Sequence, residues 1–309
     1  MQYPVVRLLD GIQSALNPQG PDAAVIAEIS WVLFAGAAII FAAVMALAAY
    51  AVFARRENAS RLSPRLLVVG GGILFPAVTL FALLVYSLAR AAALHPAEDD
   101  ALRIEVVGEQ WWWRVHYLDA DGRRDFATAN EIRVPVGRPV DLLLRSGDVV
   151  HSFWVPVLAG KLDMIPGRTN RLRVRAERAG EFRGQCAEYC GGPHAWMALY
   201  FVAQETAAFE RWAAAQRQPA AHSNALFAAH CAACHTVRGT PAAGALGPDL
   251  THVGGRLSIG AGLLPNNAGA LAGWIASSQH LKPGNLMPAF RHFTGEELRI
   301  LAGYLESLK

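Results

Sequence analysis

The chain has 309 residues, 53% of them hydrophobic and only 17% charged, with 28 Lys and Arg against 25 Asp and Glu. Soluble domains carry about 25% charged residues, so the composition argues against a wholly water-soluble protein. A net charge of +3 is too small for a nucleic-acid binder, and four cysteines are too few for a disulfide-built scaffold.

Two apolar runs account for the hydropathy. Charge is absent between Glu28 and Arg55, and again from Leu66 to Ala89 between Arg65 and Arg90. A helix needs about 20 residues to cross the hydrocarbon layer, and core helices of soluble proteins seldom avoid charge for so long. Transmembrane helices are therefore expected at about 30–54 and 66–90, within an N-terminal segment 1–97. The loop between them holds Arg55, Arg56, Arg61 and Arg65 against the single acid Glu57. The positive-inside rule places that loop in the cytoplasm and both termini outside. With Arg7 the only early basic residue, no short cleavable signal is expected before the first span. Gly70-Gly71-Gly72 would let another helix approach closely, which argues for a packed membrane partner.

From about Arg103 to Gln204 the pattern is short and alternating. Residues 104–107, 139–145, 170–176 and 197–203 read as strands and 119–122 as a turn, which suggests a small all-β sandwich or barrel. Trp111-Trp112-Trp113 cannot all face one side of a strand, so at least one should be exposed or at an interface; ordinary core packing is the alternative for the run. The segment Cys186-Ala-Glu-Tyr-Cys190-Gly-Gly-Pro-His194-Ala-Trp-Met197 gathers two thiols, an imidazole and a thioether, with His151 upstream. Soft sulfur with imidazole favours copper or zinc over magnesium or calcium. A Cys186–Cys190 disulfide and a tetrahedral zinc site stay open on spacing alone, although zinc would leave Met197 unused.

Residues 213–221 read as a linker, and 222–309 as helix and loop. Thr294-Gly-Glu-Glu297 is a capping box, followed by Leu298, Leu301, Leu305 and Leu308 on one helical face. Cys231-Ala-Ala-Cys234-His235 is the attachment signature of a c-type haem: two thiols for thioethers, then an imidazole for the iron. A redox dithiol and half of a zinc site are the alternatives. Met287, the only methionine after Met197, is the candidate second axial ligand, and a Met/His pair suits electron transfer. His252, His280 and His292 are its rivals. This region resembles the small all-α class I cytochromes c, in which the Gly247-Pro248 carbonyl region steadies the histidine corresponding to His235.

The motif C-x-E-x-C-x-x-x-H-x-x-M resembles the dinuclear CuA centre of cytochrome c oxidase subunit II. The likeness extends through Asp148-Val-Val-His151-Ser-Phe-Trp-Val-Pro156, residues 161–170, Gln110-Trp-Trp-Trp113 and the two-helix anchor, over roughly 15–205. It implies a two-helix transmembrane hairpin, a cupredoxin-like all-β domain at 98–212 and a fused cytochrome c domain at 222–309. Cys186 and Cys190 would bridge two coppers, with His151, His194, Met197 and the Glu188 carbonyl completing the set. The Glu188 carboxylate would help hold magnesium at the boundary with subunit I. Trp111 matches the electron-entry aromatic, Trp113 belongs to the same run, and Asp148 matches an acid near the docking surface.

The resemblance further implies a subunit that takes electrons from cytochrome c or another periplasmic donor. It would pass them to subunit I, beside subunit III, in the bacterial cytoplasmic membrane, where oxygen is reduced and protons are translocated. No catalytic residue is expected in this chain itself. One position departs from the family: with Pro76 as the reference proline, Val69 stands where a glutamate near a proton-entry path is usual, and Gly72-Ile73 replaces Trp-Thr. A nitric oxide reductase subunit and a free-standing membrane-tethered electron carrier are the rival functions. Residues 98–212 hold 17 acids and 15 bases, and 222–309 hold 4 acids and 6 bases. Tethering suggests a haem domain that swings to the copper domain, mainly through high effective concentration and helped slightly by that asymmetry.

Overall fold

The computed structural model describes residues 11–53, 63, 65–92 and 100–309, in two compact units. Arg55, Arg56 and Arg61 of the loop between the two apolar runs, with Glu57 and Arg7, lie outside the described residues.

Unit Ala24–Ala97 holds the two apolar helices. Helix α1 (Pro21–Phe53) begins a few residues ahead of it and runs 33 residues; the second helical stretch spans Leu66–Ala92. Both are long and apolar enough to cross a membrane. The second does not start as the expected α-helix. Leu66–Leu74 is π-helical, and only Phe75–Ala92 (α2) is α-helical. The wide turn runs through Gly70, Gly71 and Gly72, whose missing side chains relieve crowding, and the Phe75 N–H reaches back to the Gly70 carbonyl. Val69 lies exposed within that π-helical stretch. At the other end of the pair, Glu28 accepts from the Tyr86 hydroxyl at 2.9 Å and forms an ion pair with Arg90. The charges that bound the two apolar runs thus satisfy each other.

The other unit, Met1–Ala23 with Glu98–Lys309, contains a β module and a helical module. The β module has ten strands: β1 (Leu102–Glu109), β2 (Trp112–Leu118), β3 (Arg124–Ala129), β4 (Glu131–Pro135), β5 (Val140–Ser146), β6 (His151–Trp154), β7 (Leu162–Met164), β8 (Asn170–Val174), β9 (Gly180–Cys186) and β10 (Ala198–Gln204). They form two five-stranded sheets, ordered β3-β2-β1-β5-β8 and β4-β10-β9-β6-β7. Pairs β1/β5 and β4/β10 are parallel and the remaining pairs antiparallel. Alternation turns Val106, Trp113, Val115, Leu142, Leu144 and Phe201 inward, where they bury completely. Residues 11–20 lie against this module, with the Gln19 N–H on the Val157 carbonyl at 2.7 Å.

Helix α3 (Thr206–Arg217) follows β10 and packs Phe209 and Ala213 on the β core. It takes up residues 213–217, which the sequence had marked as linker. Three alanines favour helix there, and the helix ends at Gln218 because the residue before Pro219 is driven to extended backbone. The helical module comprises α4 (Ala225–His230), a short β11/β12 ladder (Ser258–Ile259 with Leu264–Pro265), α5 (Ala268–Leu281) and α6 (Gly295–Ser307). The capping box at α6 is complete: the Glu297 N–H donates to Thr294 Oγ1 at 3.2 Å, and the Thr294 N–H to Glu297 Oε2 at 2.7 Å. Leu301, Leu305 and Leu308 are buried, with Leu298 at their edge.

The two modules are docked on one another. The Ala198 N–H donates to the Ala261 carbonyl at 3.0 Å, the Leu257 N–H to Glu131 Oε2 at 2.7 Å, and Arg114 to the Ala245 carbonyl at 3.0 Å. The short connection is held as well: the Ala220 N–H bonds the Arg238 carbonyl at 2.8 Å, and His252 Nε2 donates to the Gln218 carbonyl at 3.0 Å. The connection and both modules are thus joined by hydrogen bonds in a docked arrangement, where a swinging tethered domain is the expectation from the sequence.

Candidate metal centre and haem-attachment loop

The sulfur and imidazole groups of the first motif converge at one end of the second β sheet. His151 opens β6 and Cys186 closes β9; these strands are antiparallel neighbours, with Phe153 opposite Cys186. Cys190 lies in the following loop, His194 starts a 3₁₀ turn (His194–Trp196), and Met197 comes just before β10. One tight connection between two paired strands therefore delivers Cys186, Glu188, Cys190, His194 and Met197.

The Cys186 and Cys190 sulfurs lie 3.7 Å apart, hydrogen-bonded and with no disulfide between them. His151 Nδ1 is 3.8 Å from Cys186, His194 Nδ1 is 3.5 Å from Cys190, and Met197 Sδ is 3.9 Å from Cys190. The Glu188 carbonyl oxygen stands 3.2 Å from Cys186 Sγ. His151, Cys186 and Cys190 form the one metal-competent His/Cys/Asp/Glu cluster among the described residues. His151, Met197 and both cysteines are buried, so water has little access to these donors. A Cβ on Gly108 would stand 2.8 Å from the His151 ring, so only glycine leaves room for that imidazole.

The electrostatics favour a thiolate at Cys186 beside a protonated thiol at Cys190. The hydrogen bond from Cys190 pulls the Cys186 thiol well below the usual thiol range against the cost of burial, with help from His151. Cys190 is pushed upward by the same bond. Burial opposes protonation of His151, but its bonds to Cys186 and Asp148 outweigh it and raise the imidazole above its ordinary value. Asp148 does not stand free on the surface. Its Oδ1 lies 2.7 Å from His151 Nε2, and its Oδ2 accepts the Gln110 N–H at 2.7 Å. In the neutral imidazole this commits Nε2 to donation and leaves the Nδ1 lone pair toward the sulfurs.

Of the three tryptophans, Trp113 is buried, edge-on to Phe153 with centroids 5.6 Å apart, and lies 6.3 Å from the His151 ring. Trp111 is half-buried and its Nε1 donates to the Cys190 carbonyl at 2.9 Å. Trp112 lies beneath the Arg114 guanidinium. The Glu188 carboxylate, which the resemblance assigns to magnesium, instead faces the Lys161 ammonium at 3.1 Å.

In the helical module, Cys231 caps α4, and the His235 N–H closes a turn onto the Cys231 carbonyl at 3.0 Å. Both cysteines are free. His235 Nδ1 donates to the Pro248 carbonyl at 2.8 Å, which leaves Nε2 as a lone pair. Burial lowers the His235 pKa against that hydrogen bond and favours the neutral ligand form. Gly247 packs so closely that a Cβ would meet His235 Cε1 at 2.4 Å. Met287 lies against the module core, and its backbone is fixed on both sides. Its N–H donates to Asn285 Oδ1 at 3.0 Å, and its carbonyl accepts from Ser278 Oγ at 3.0 Å and Gln279 Nε2 at 2.7 Å. Of its rivals, His252 is engaged with the connection to the β module, while His280 and His292 are exposed.

Comparison with known proteins agrees in both modules. A family model described as "Cytochrome C oxidase subunit II, periplasmic domain" matches residues 116–204, and one described as "Cytochrome c" matches 220–309. A relative from Bacillus sp. (strain PS3), "Cytochrome c oxidase subunit 2", is 30% identical over 74% of this chain and 68% of its own length. This chain belongs to the cytochrome c oxidase subunit 2 family. The Alkalihalophilus pseudofirmus relative of the same description is 39% identical over 68% of this chain, an alignment that spans 62% of that relative's length. A crystal structure of the periplasmic domain of subunit II of cytochrome oxidase from Bradyrhizobium japonicum is 31% identical, covering 40% of this chain and 96% of its own with a TM-score of 0.36.

Proposed function

We propose that this chain is the electron-transfer subunit of a haem–copper oxidase, anchored by two spans in the bacterial cytoplasmic membrane with both outer modules on the periplasmic face. It would take electrons from cytochrome c or another periplasmic donor and deliver them to subunit I, where oxygen is reduced to water and protons are translocated. Subunit III and membrane lipid would complete its surroundings. The observation that carries this reading is the buried donor set: two adjacent thiols flanked by two imidazoles, a thioether and a backbone carbonyl.

His151, Cys186, Cys190, His194, Met197 and the Glu188 carbonyl would hold a dinuclear copper centre in a cupredoxin-like frame. Thioether chemistry and soft sulfur favour copper over zinc. Cys231 and Cys234 would attach a haem c, with His235 and Met287 as axial ligands in a class I cytochrome c fold. When bound, these groups supply one-electron carriers that need little rearrangement on reduction. The chain's residues supply orientation and rigidity: Asp148 sets the His151 tautomer, the Pro248 carbonyl sets that of His235, and burial excludes water from the sulfurs. Trp111, bonded to the Cys190 carbonyl, is the aromatic on the side from which electrons arrive. The Glu188 carboxylate could reach magnesium at the subunit I boundary only by leaving Lys161.

Val69, where the family usually has a glutamate, favours a second reading with nitric oxide as the terminal acceptor. The complex purified through a tag on this chain, given reduced cytochrome c, separates the two. Cyanide-sensitive oxygen uptake supports the oxidase; nitric oxide turnover with negligible oxygen uptake transfers the chain to a reductase.

A further inference from the structure

One buried cation lies outside both donor sets. Lys282, at the C-terminal end of α5, is 2% exposed. Its Nζ donates to the carbonyls of Trp111 at 2.7 Å, Trp196 at 2.7 Å and Gly260 at 3.0 Å. An ammonium has three protons to give, and a buried one is tolerated when all three find acceptors. Two of the three acceptors belong to the β module and one to the helical module, so the contact is a staple between modules.

Its neighbours give the staple a direction. Trp111 carries Cys190 through the bond from its indole, and Trp196 immediately precedes Met197. On the other side, Lys282 opens the loop that ends at Met287. Gly284 of that loop lies on the Trp111 ring, where an added Cβ would sit 3.5 Å from the indole carbons. One ammonium thus joins the Trp111 loop and the connection bearing Cys190 and Met197 to the loop bearing Met287.

We propose that Lys282 is the positioning residue for electron transfer between the two centres, holding the haem loop against the copper loops in one fixed geometry. This rests on the assignment of both centres made above. Electrons would then cross within a standing interface, and the Trp111 face, covered by the chain's own loop, would be closed to direct delivery by an external donor.

The test uses the full chain in its oxidase complex, as wild type, Lys282→Leu and Lys282→Arg. Covalent haem, copper content and the midpoint potentials of both centres are measured first. Haem-to-copper electron transfer then follows from flash photoreduction read in the near-infrared copper band. Hydrogen exchange is read at the Ala198 and Leu257 amides, which bond across the interface. In Lys282→Leu the rate should fall on the order of tenfold to a hundredfold at unchanged potentials, with faster exchange at both amides. Lys282→Arg should recover part of the rate, since it keeps the charge but cannot bring three carbonyls onto one nitrogen. A Lys282→Leu chain with both centres loaded, a wild-type rate and wild-type exchange overturns the inference alone; so does a slower rate explained by a shifted potential. Absence of haem or copper in the wild type overturns the centre assignment and this inference with it. If Lys282→Leu loses a centre, Lys282→Arg decides: intermediate slowing with faster exchange supports the staple, and a wild-type rate overturns it.

Discussion

Asp148 Oδ1 lies 2.7 Å from His151 Nε2, while its second oxygen holds the Gln110 N–H at the same distance. The carboxylate therefore links the β6 end of the candidate copper site to the loop that carries Trp111. Second partners of this kind set the orientation and basicity of a ligand imidazole. Asp148→Ala should lower copper affinity about 10- to 100-fold in competition with a chelator, with Asp148→Asn between it and wild type. Equal copper retention in all three chains would reduce Asp148 to a surface residue.

What could be read in the sequence follows from how far apart the cooperating residues lie. Cys186, Cys190, His194 and Met197 share one strand-to-strand connection, so their spacing alone exposes the site; the same holds for Cys231, Cys234 and His235. The Thr294/Glu297 capping box is equally local and was equally visible. Asp148 reads from the sequence only as an acid near the docking surface, because its bond to His151 depends on the turn that brings them together. Lys282 gave no signal: its three acceptors are backbone carbonyls at Trp111, Trp196 and Gly260, and a carbonyl has no sequence identity. The π-helical start of the second span and the extension of α3 to Arg217 were hidden for another reason. Apolar length and alanine-rich composition do not distinguish α from π, or helix from linker, until packing decides.

His116 in β2 gives a pH test. Burial first, then the Arg124 charge, pushes its pKa down from 6.5 to about 4, against the pull of Glu105. The folded protein thus favours neutral imidazole, while the unfolded chain takes up a proton below its ordinary pKa. Stability should be unaffected by this group above about pH 6.5 and fall as pH drops toward 4, by roughly 1–2 kcal/mol after allowance for solvent screening. Unfolding of wild type and His116→Gln between pH 7 and 4 isolates the effect. Parallel stability curves would show that His116 is not held neutral.

The connection between modules is ordered, and that has a proteolytic signature. Ala214 lies on the exposed side of α3, within the stretch that packs Ala213 on the β core. Ala214→Pro removes a helical hydrogen bond and clashes with the preceding turn, at a cost of about 3 kcal/mol to that helix. The wild-type chain should resist limited proteolysis across 206–221, and the variant should be cut there. Ready cleavage of the wild type in this segment would restore the flexible tether.

Gly247 tests the geometry around His235. Its N–H is tied to the Cys234 carbonyl at 2.7 Å, so the backbone cannot easily retreat. A methyl group at this position would stand 2.4 Å from His235 Cε1 and 2.8 Å from Nδ1, the atom that donates to Pro248. Gly247→Ala must therefore turn the imidazole and break that bond, with an overpacking cost of about 1–3 kcal/mol. Cys231 and Cys234 are not displaced by this clash, so mass spectrometry should still find the haem covalently attached. The absorption spectrum should show weakened histidine ligation, and the thermal midpoint should fall. An unchanged spectrum and midpoint would mean that the loop yields without moving His235, and that the close contact at Gly247 does not set the ligand.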